Sequence, residues 1–276
     1  MAGSPNFIFH FYPAMTNSIR QTARKHLPPS IRRPLGTAAG LFNEKIIQFI
    51  KGTIFDLFVR RFEADGCTFK IPTDITSRSY RACFLSNSYE AEERELIRTF
   101  IRPEDRVLEL GGCLGIVSCV TNKLLNDKTH HVVVEGNPFC IPAIHRNRNL
   151  NQCGFLIENC AVSNQTEATF YLHPVWVVGG TTQRKTSLPV RLPGRSLTEL
   201  HNRYGPFNTL IMDIEGSELE IFEKATDTLK LYRLVIVELH DWAIGADGVQ
   251  KCRDLFTAAG LKFKQRAGIT EAWQRE

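Results

Sequence analysis

The stretch Arg106–Gly115, which reads RVLELGGCLG, constrains the fold more than any other part of this chain. A short apolar run reaches the acidic residue Glu109, a glycine turn follows, and an apolar helix-like run covers residues 116–125. A strand, a tight glycine loop and a helix in this order open nucleotide-type α/β domains. The glycines allow close backbone approach, and the helix N-terminus offers free N–H groups and a positive partial charge. The sequence therefore predicts an α/β domain with a ligand loop at this point.

The spacing of the glycines distinguishes between two kinds of cofactor loop. A dinucleotide fingerprint that starts at Gly111 would need glycine at positions that here hold Cys113 and Ile116. The pattern is instead Glu109-x-Gly111-x-x-x-Gly115, which is typical of S-adenosylmethionine (SAM) sites. An acidic residue beside such a loop suits a cofactor that carries a sulfonium and an ammonium group. A glycine turn that joins strand to helix without any ligand is the alternative interpretation.

The net charge of +5 is concentrated at the N-terminus. Residues 1–43 contain five Lys or Arg and no Asp or Glu, which leaves the rest of the chain near neutral. The body of the protein therefore carries no general signature of nucleic-acid binding. The eight cysteines form no C-x-x-C pair, so we expect free thiols in a reducing cytosol, without disulfides or a zinc site. No apolar run approaches the roughly 20 residues that a membrane span needs.

Residues 1–66 are expected to form a basic helical extension, and residues 67–276 the main domain. Helices are predicted at 16–26 and 41–62, separated by prolines that interrupt a helix. The second helix carries Phe and Ile at helical spacing. It either packs on the main domain or, together with the basic arm, attaches the protein to an anionic membrane or a partner.

Strands and helices alternate through most of the remaining chain. Strands are predicted near 106–110, 131–135, 155–161, 208–213, 233–239 and 261–266. Helices are predicted near 89–101 (with Ser88 as a possible N-cap), 115–126, 138–150, 217–229 and 248–259. This alternation implies a mostly parallel sheet covered on both faces. The stretch 163–206 interrupts it, and a long insertion between two core strands often carries substrate contacts.

Polar side chains follow the second and third strands of this pattern. Glu135 lies 24 residues after Gly111, where an acidic side chain is placed to accept hydrogen bonds from both ribose hydroxyls. A surface carboxylate at a turn is the alternative. The residues after the third strand, Asn159 to Val162, are candidates for flanking an adenine, but a buried strand would look the same.

The fourth and fifth strands end in groups that suit proton transfer. The fourth strand leads into Asp213, which could orient a substrate hydroxyl, take its proton or bind a divalent ion. Glu215 follows it, and either shares that task or caps the next helix, while Glu218 is expected to be structural. The fifth strand ends in Glu238-Leu-His240, and the near-neutral pKa of a histidine suits a general base.

From Tyr89 to about Gly268, the chain resembles the FkbM family of SAM-dependent methyltransferases. The matching segments are Tyr89-Glu-x-x-Glu, Leu108-Glu-Leu-Gly-Gly-Cys-Leu-Gly115, Val134-Glu-Gly-Asn-Pro138, Asn147-x-x-Leu-Asn151, Ala161-Val-Ser163, Met212-Asp-Ile-Glu-Gly-Ser-Glu218 and Val237-Glu-Leu-His240. The family loop usually reads D-V-G-A-N-x-G, so that Glu109 replaces an aspartate here and Cys113 replaces an asparagine. Met212 stands where the family has a lysine.

The resemblance implies a class I methyltransferase with a Rossmann-like sheet, mostly parallel with an antiparallel last strand, and helices on both faces. It also implies SAM-dependent O-methylation, often of sugar hydroxyls in glycans, glycolipids or natural products. We expect SAM to be held by Glu109, Gly111, Gly112, Cys113, Gly115, Glu135, Asn137, Asn159, Ala161 and Asp213. Asp213, with Glu215 or His240, is expected to position and deprotonate the acceptor hydroxyl. A divalent metal is conceivable at Asp213, but none is predicted.

Two other classes of function stay open at this point. An RNA or protein methyltransferase would use the basic arm for electrostatic attraction, although the core shows no aromatic-and-basic stacking platform. A non-catalytic SAM-binding module is the second alternative. We expect a cytoplasmic protein, with a solvated basic arm and peripheral membrane contact through that arm as the two alternatives, and the sequence does not indicate an oligomeric state.

Overall fold

The computed structural model of the protein describes residues 34–59, 61–172, 180–182 and 185–276. The predicted helix at 16–26 and the basic residues of the N-terminal arm lie outside the described residues. The chain divides into two units, Met1–Ile47 and Gln48–Glu276, and the central sheet belongs to the second. The assignment of residues 1–66 as a separate extension stays a prediction.

The described elements take the following bounds. The strands are β1 Phe62–Ala64, β2 Cys67–Phe69, β3 Val107–Leu110, β4 His131–Glu135, β5 Leu156–Asn159, β6 Ala161–Val162, β7 Glu167–Leu172, β8 Gly180–Thr181, β9 Pro189–Arg195, β10 Thr209–Met212, β11 Leu234–Glu238, β12 Lys262–Ala267 and β13 Thr270–Gln274. The helices are α1 Pro34–Ile54, α2 Arg78–Leu85, α3 Ala91–Phe100, α4 Ile116–Leu124, α5 Ile141–Leu150, α6 Leu197–Tyr204, α7 Glu218–Lys224, α8 Thr226–Leu229 and α9 Asp241–Ala258. A π-helical turn at Phe55–Val59 follows α1.

Seven strands form the central sheet in the order β12-β13-β11-β10-β3-β4-β5. Neighbouring strands from β11 to β5 are parallel, whereas β13 runs antiparallel to both β11 and β12. The predicted parallel sheet with an antiparallel last strand is confirmed. The sequence predicted β12 but not β13. Strand β13 contains the buried carboxylate of Glu271, which pairs with Arg253 over 2.6 Å. This acidic residue interrupts the apolar pattern by which a buried strand is predicted.

Strand β3 is an interior strand of the sheet, between β10 and β4. Leu108 is in register with Leu210 on one side and Val132 on the other. Val107 packs into the apolar cluster on one face of the sheet, and Leu108 packs into the cluster on the other face. Strands covered on both faces read as continuous apolar runs, which is why the sequence located them.

The insertion at 163–206 contributes three strands to a smaller sheet with the order β6-β9-β7-β8, whose first strand, β6, directly precedes it. The ring of Phe170 lies against the turn after β4, because a Cβ added to Gly136 would lie 2.8 Å from that ring. The hydroxyl of Thr182 lies 2.8 Å from the hydroxyl of Ser217, in the turn after β10. The insertion therefore contacts the segments that follow two strands of the central sheet.

Helix α3 enters the fold differently from the prediction. Ser88 is not its N-cap; Glu90 holds that position with a left-handed backbone φ of 47° and no side-chain cap bond. The buried guanidinium of Arg94 donates to the Asp65 carboxylate and to the side-chain and backbone oxygens of Asn87. These bonds fix the first turn of α3 on the residues that precede it.

Three further helix boundaries differ from the prediction. The helix predicted at 41–62 ends at Ile54, before the π-helical turn and β1. The helix predicted from Pro138 begins at Ile141, because the Cys140 N–H donates to the carbonyl of Asn137 and closes a turn first. The helix predicted at 248–259 begins earlier, with a kink at Gly245 where φ is 71°. Within the described residues, no helix has both the length and the apolarity that crossing a membrane requires.

Candidate active site

The glycine loop after β3 is pressed against the end of β10. Gly111 has a φ of 102°, and a Cβ at this position would lie 1.8 Å from the backbone oxygen of Asp213. Both Gly111 and Gly112 donate backbone hydrogen bonds to the carbonyl of Val134. Gly115 caps α4 with a φ of 75°. Only glycine meets these requirements at Gly111, so the loop can hold β3 and the end of β10 at backbone distance.

Cys113 occupies the centre of the loop with a φ of 44°. Its N–H donates to Oε2 of Glu135 over 2.6 Å, and its sulfur accepts a hydrogen bond from the hydroxyl of Tyr89 over 3.3 Å. Asparagine tolerates a left-handed backbone better than other non-glycine residues, which explains the asparagine that the family pattern has at this position. In this chain, the Tyr89 contact instead ties the loop to the segment before α3.

Glu135, Asn137 and Asn159 come together after β4, as the sequence indicated. The buried Glu135 carboxylate accepts hydrogen bonds from the N–H groups of Cys113 and Asn137, each over 2.6 Å. The Asn159 amide donates to the carbonyl of Glu135 over 2.7 Å. Burial raises the pKa of Glu135 to about 7, although the backbone N–H bonds oppose the shift. Ala161 is buried next to this group, in β6.

The Glu109 carboxylate is held by side chains of α4 and β4. One oxygen of its buried carboxylate accepts a hydrogen bond from the hydroxyl of Ser118, and the other lies 3.1 Å from Nε2 of His131. Both oxygens are thus engaged with the strand's neighbours and with α4. The assignment of Glu109 as a cofactor ligand stays a prediction.

Asp213, Glu215 and His240 meet at the end of β10 and β11, as predicted. Nδ1 of His240 lies 2.7 Å from Oε1 of the fully buried Glu218. Its other ring nitrogen faces three further carboxylates, with Nε2 at 3.5 Å from Glu238, 3.6 Å from Asp213 and 3.8 Å from Glu215. One imidazole is therefore surrounded by four acidic side chains.

This environment contradicts the expectation of a near-neutral histidine. Burial by itself would lower the pKa of His240, but hydrogen bonds to Glu218 and Glu238 and the charge of Asp213 raise it to about 12. A pKa raised in this direction favours the imidazolium, which has no lone pair to accept a substrate proton. The catalytic role of His240 stays a prediction.

Asp213 keeps the properties that proton transfer needs. Its Oδ1 atom is buried and has no hydrogen-bond donor among the described residues, since the nearest His240 nitrogen is 3.6 Å away. Burial, followed by the charge of Glu238, raises the pKa of Asp213 well above its usual range. A carboxylate of increased basicity with an open oxygen can accept a hydroxyl proton.

Sequence reasoning missed two members of this site, Glu90 and Glu93. Each places a carboxylate oxygen beside Asp213, with the three oxygens within 4.8 Å of one another. The sequence showed these residues as part of the segment Tyr89-Glu-x-x-Glu and as acids at the start of a predicted helix, where negative charge favours helix stability alone, and no site role was assigned to them. Their i, i+3 spacing on one helix face was the available signal.

The family follows from the sequence itself. Residues 109–263 match the methyltransferase FkbM domain. This chain belongs to the FkbM methyltransferase family. Its cofactor is SAM, and the loop fits this cofactor because its Gly111–Gly112 backbone carries no side chain and ends at the Glu135 carboxylate. No curated protein matches the chain.

Several solved structures share features of the fold. A methyltransferase from Pyrococcus furiosus covers 87% of this chain and 98% of its own length, at 13% identity and a TM-score of 0.45. The fibrillarin of Aeropyrum pernix in complex with natively bound SAM covers 66% of this chain and 74% of its own, at 9% identity and a TM-score of 0.43. The ribosomal protein L11 methylase of Lactobacillus delbrueckii subsp. bulgaricus covers 69% and 81%, at 17% identity and a TM-score of 0.41.

Proposed function

We propose that this FkbM domain transfers the methyl group of SAM to a hydroxyl of a sugar in a glycan, a glycolipid or a glycosylated natural product. The observation that carries the proposal is the open Oδ1 of Asp213 at the end of β10, one backbone contact away from Gly111 of the loop. Several carboxylates around it offer acceptors for the donor hydroxyls of a sugar. The family resemblance supports the same acceptor class.

Asp213 would take the proton of the acceptor hydroxyl. The oxygen of that hydroxyl would bond to the methyl carbon as the bond between this carbon and the sulfonium sulfur breaks. Bound SAM supplies a methyl group already activated by its sulfonium charge. The imidazolium of His240, held by Glu218, keeps the end of β11 beside Asp213 and offsets part of the negative charge. Orientation of the hydroxyl by these fixed groups supplies most of the rate enhancement that the protein itself must provide.

At the ribose end, we propose that Glu135 receives the hydroxyls of the cofactor. Its carboxylate already accepts two backbone hydrogen bonds, from Cys113 and Asn137, which aim the remaining lone pairs. Asn159 and Ala161 line the neighbouring strand end, where the adenine would lie. The insertion, which touches the turns at Gly136 and Ser217, supplies the other wall for the acceptor.

The same carboxylates argue against a nucleic-acid acceptor. Glu90, Glu93, Asp213 and Glu238 make the place where the reacting group must enter acidic, with no Lys or Arg in either cluster. Phosphate groups are repelled from such a surface, and RNA binding needs the opposite sign of charge. Methylation of RNA or protein is the alternative that the experiment below separates from sugar methylation, and a non-catalytic SAM-binding module would show no turnover in it.

The experiment compares wild type with Asp213→Asn at saturating SAM. We expect turnover to fall about 10²- to 10⁴-fold, because the general base is lost. Asp227→Asn, an exposed aspartate on α8, is the matched control and should keep full activity. Cell-envelope glycans from cells with the wild-type protein should carry a one-methyl mass increase that cells with Asp213→Asn lack. Full turnover in Asp213→Asn would contradict the assignment of Asp213 as the base. Methyl incorporation into RNA or protein instead of glycan would contradict the assignment of a sugar acceptor.

We also propose that the protein works at the cytoplasmic face of an anionic membrane. Six large apolar side chains are exposed within 11 residues, namely Phe49, Ile50, Ile54, Leu57, Phe58 and Val59. An exposed apolar stretch of this kind inserts at the lipid interface, and nearby Lys and Arg add about 1 kcal/mol each on anionic lipid. The basic sequence of residues 1–43 supplies those charges. A membrane location would bring the enzyme to a lipid-linked glycan.

A further inference from the structure

The indole of Trp242 is a large apolar surface beside the acidic groups that follow β10 and β11. It comes two residues after His240, in the first turn of α9, and 46% of its surface is exposed. Trp273, the other tryptophan that the structure describes, is only 6% exposed. Neither the proposed proton transfer nor the proposed cofactor site uses the indole. A single exposed apolar residue is ordinary, so only its surroundings can indicate a role.

Two contacts place the indole near Asp213. Its ring centroid lies 5.8 Å from that of His240, with an angle of 72° between the two ring planes. A T-shaped contact of this kind engages at most one face of the indole. The six-membered ring reaches the turn after β10, since its Cη2 atom would lie 3.8 Å from a Cβ added to Gly216. Nε2 of His240 lies 3.6 Å from Asp213, so one imidazole adjoins both the indole and the proposed base.

The insertion reaches the same turn. The hydroxyl of Thr182 lies 2.8 Å from that of Ser217, the residue that follows Gly216. The indole therefore lies close to the junction between the insertion and the ends of the central strands. Long insertions between core strands often carry substrate contacts. An acceptor that extends from Asp213 towards the insertion would lie near the indole.

The strand order separates the indole from the adenosine end of the proposed cofactor site. Trp242 follows β11, whereas Glu135 ends β4, and β10 and β3 lie between these two strands. Neighbouring strands are about 4.8 Å apart, so three spacings place β11 and β4 roughly 14 Å from each other. The indole and a ribose at Glu135 therefore lie in different parts of the cleft. An acceptor at Asp213 is the nearer ligand.

We propose that Trp242 is the stacking platform for a pyranose ring of the acceptor, and thus a specificity-determining residue of the reaction. This inference rests on the proposed sugar acceptor. A pyranose has an apolar face of ring C–H groups and a rim of hydroxyls. The indole suits the face, because the negatively polarised face of an aromatic ring attracts C–H groups. The carboxylates of Asp213 and Glu238, both beside His240, suit the hydroxyls of the rim.

A phenolic acceptor is the competing chemistry, since its flat ring would also stack on an indole. A phenol or catechol brings only one or two hydroxyls, however, and would leave most of the surrounding carboxylates without a donor. The acidic side chains around His240 favour an acceptor that carries several hydroxyls. A sugar meets both requirements of the site, the apolar face and the polar rim.

The test measures methyl transfer from labelled SAM by the full-length protein, with cell-envelope glycans as the sugar probe and catechol as the phenolic probe. Wild type is compared with Trp242→Ala, Trp242→Phe and Phe263→Ala. Phe263 is the matched control, because it is 50% exposed and also makes a T-shaped contact with a neighbouring ring, that of Trp273, but lies on β12. Calorimetry with S-adenosylhomocysteine shows whether each variant keeps its fold and its cofactor site.

We expect Trp242→Ala to raise the KM for the glycan about tenfold or more, while kcat falls by no more than about threefold. The reason is that a stacking platform binds the ground state and the transition state alike. Trp242→Phe keeps an aromatic face and should stay within about threefold of the wild-type KM. Affinity for S-adenosylhomocysteine should stay within about twofold of wild type in every variant, and Phe263→Ala should keep the wild-type KM.

Four outcomes would overturn the proposal. An unchanged KM for the glycan in Trp242→Ala would leave the sugar acceptor standing and reject only the platform. An equal rise in KM for Trp242→Ala and Trp242→Phe would show that an aromatic face is not what the acceptor needs. A loss of S-adenosylhomocysteine affinity in Trp242→Ala would assign the indole to the cofactor site or to the fold. A wild type that does not methylate the glycan would contradict the proposed function itself, and methylation of catechol would then identify a phenolic acceptor.

Discussion

Nδ1 of His240 lies 2.7 Å from Oε1 of Glu218, and this buried pair joins the ends of two neighbouring strands. The same Glu218 oxygen accepts the N–H of Gly216 over 2.9 Å. The pair therefore fixes both the turn after β10 and the first residues after β11. It also directs Nε2 of the ring towards Asp213, 3.6 Å away, so that a structural contact sets the charge beside the proposed base.

His240→Gln should destabilise the protein by about 3–5 kcal/mol, because Glu218 would be left buried without its cation. The folded-state pKa of about 12 exceeds the ordinary value of 6.5, so the charge stabilises fully below about pH 6.5. This contribution declines as pH rises from there towards 12. Urea unfolding at pH 6 and pH 9 measures both effects. Glu218→Gln added to His240→Gln should recover part of the loss, and a single variant as stable as wild type would contradict the pairing.

Gly111→Ala should cost about 3 kcal/mol or more and should abolish binding of S-adenosylhomocysteine. The added methyl group would lie 1.8 Å from the Asp213 carbonyl and would push β3 and β10 apart. Gly66→Ala is the matched control, since its φ of 75° is also positive but nothing lies within 4 Å of the new Cβ. Its cost should be about 1 kcal/mol, from backbone conformation alone. Similar unfolding free energies for both variants would show that the close approach at Gly111 is unimportant.

Glu135→Gln should weaken S-adenosylhomocysteine and 5′-methylthioadenosine alike, by about tenfold or more, because both ligands contain the ribose. Glu167→Gln, an exposed glutamate on β7, should change neither affinity. The pKa of Glu135 is about 7, and hydroxyl donors favour its ionised form. Affinity in the wild type should therefore rise from pH 6 to pH 8, and this rise should vanish in Glu135→Gln. Unchanged affinity of Glu135→Gln for both nucleosides would contradict the assignment of Glu135 as a ribose ligand.

Phe58→Asp should reduce binding to vesicles that contain phosphatidylserine by about tenfold or more. The side chain of Phe58 is 79% exposed, and its transfer into lipid contributes roughly 2 kcal/mol that an aspartate cannot supply. Leu231→Asp introduces the same charge at another exposed apolar residue and should have no effect. Sedimentation with vesicles of phosphatidylcholine alone measures the part of the binding that does not depend on anionic lipid. Equal sedimentation of wild type and Phe58→Asp would exclude this segment as the membrane contact.

The sequence was most informative where strands are buried on both faces. Continuous apolar runs located β3, β4, β10 and β11, and the polar residues at their carboxyl ends fell into one region because parallel strands end at one edge of a sheet. The sequence was least informative on the contacts that a buried side chain makes. In a strand that is apolar throughout, it does not show which neighbours a lone carboxylate meets, and the Glu109 carboxylate contacts Ser118 and His131.

The charge state of His240 was also beyond the sequence. A histidine after a strand end has a pKa set by the groups around it, and here Glu218 and Glu238 supply them from separate elements. The placement of Glu90 and Glu93 beside Asp213 was hidden for a similar reason. Acids in the first turn of a helix have a sufficient local explanation, and only the approach of α3 to Asp213 shows that they face a common position.

The position of β3 between β4 and β10 also affects how the chain can fold during its synthesis. Its register partners are β4, which follows at once, and β10, which is synthesised about a hundred residues later. A nascent chain that ends within the insertion would leave one edge of β3 without hydrogen-bond partners, a surface prone to pairing with other chains. Gly111 would lack the Asp213 backbone that it lies against. An amino-terminal fragment that ends before β10 therefore lacks the strand against which the cofactor loop packs, and we expect nucleoside binding only after β10 has been synthesised.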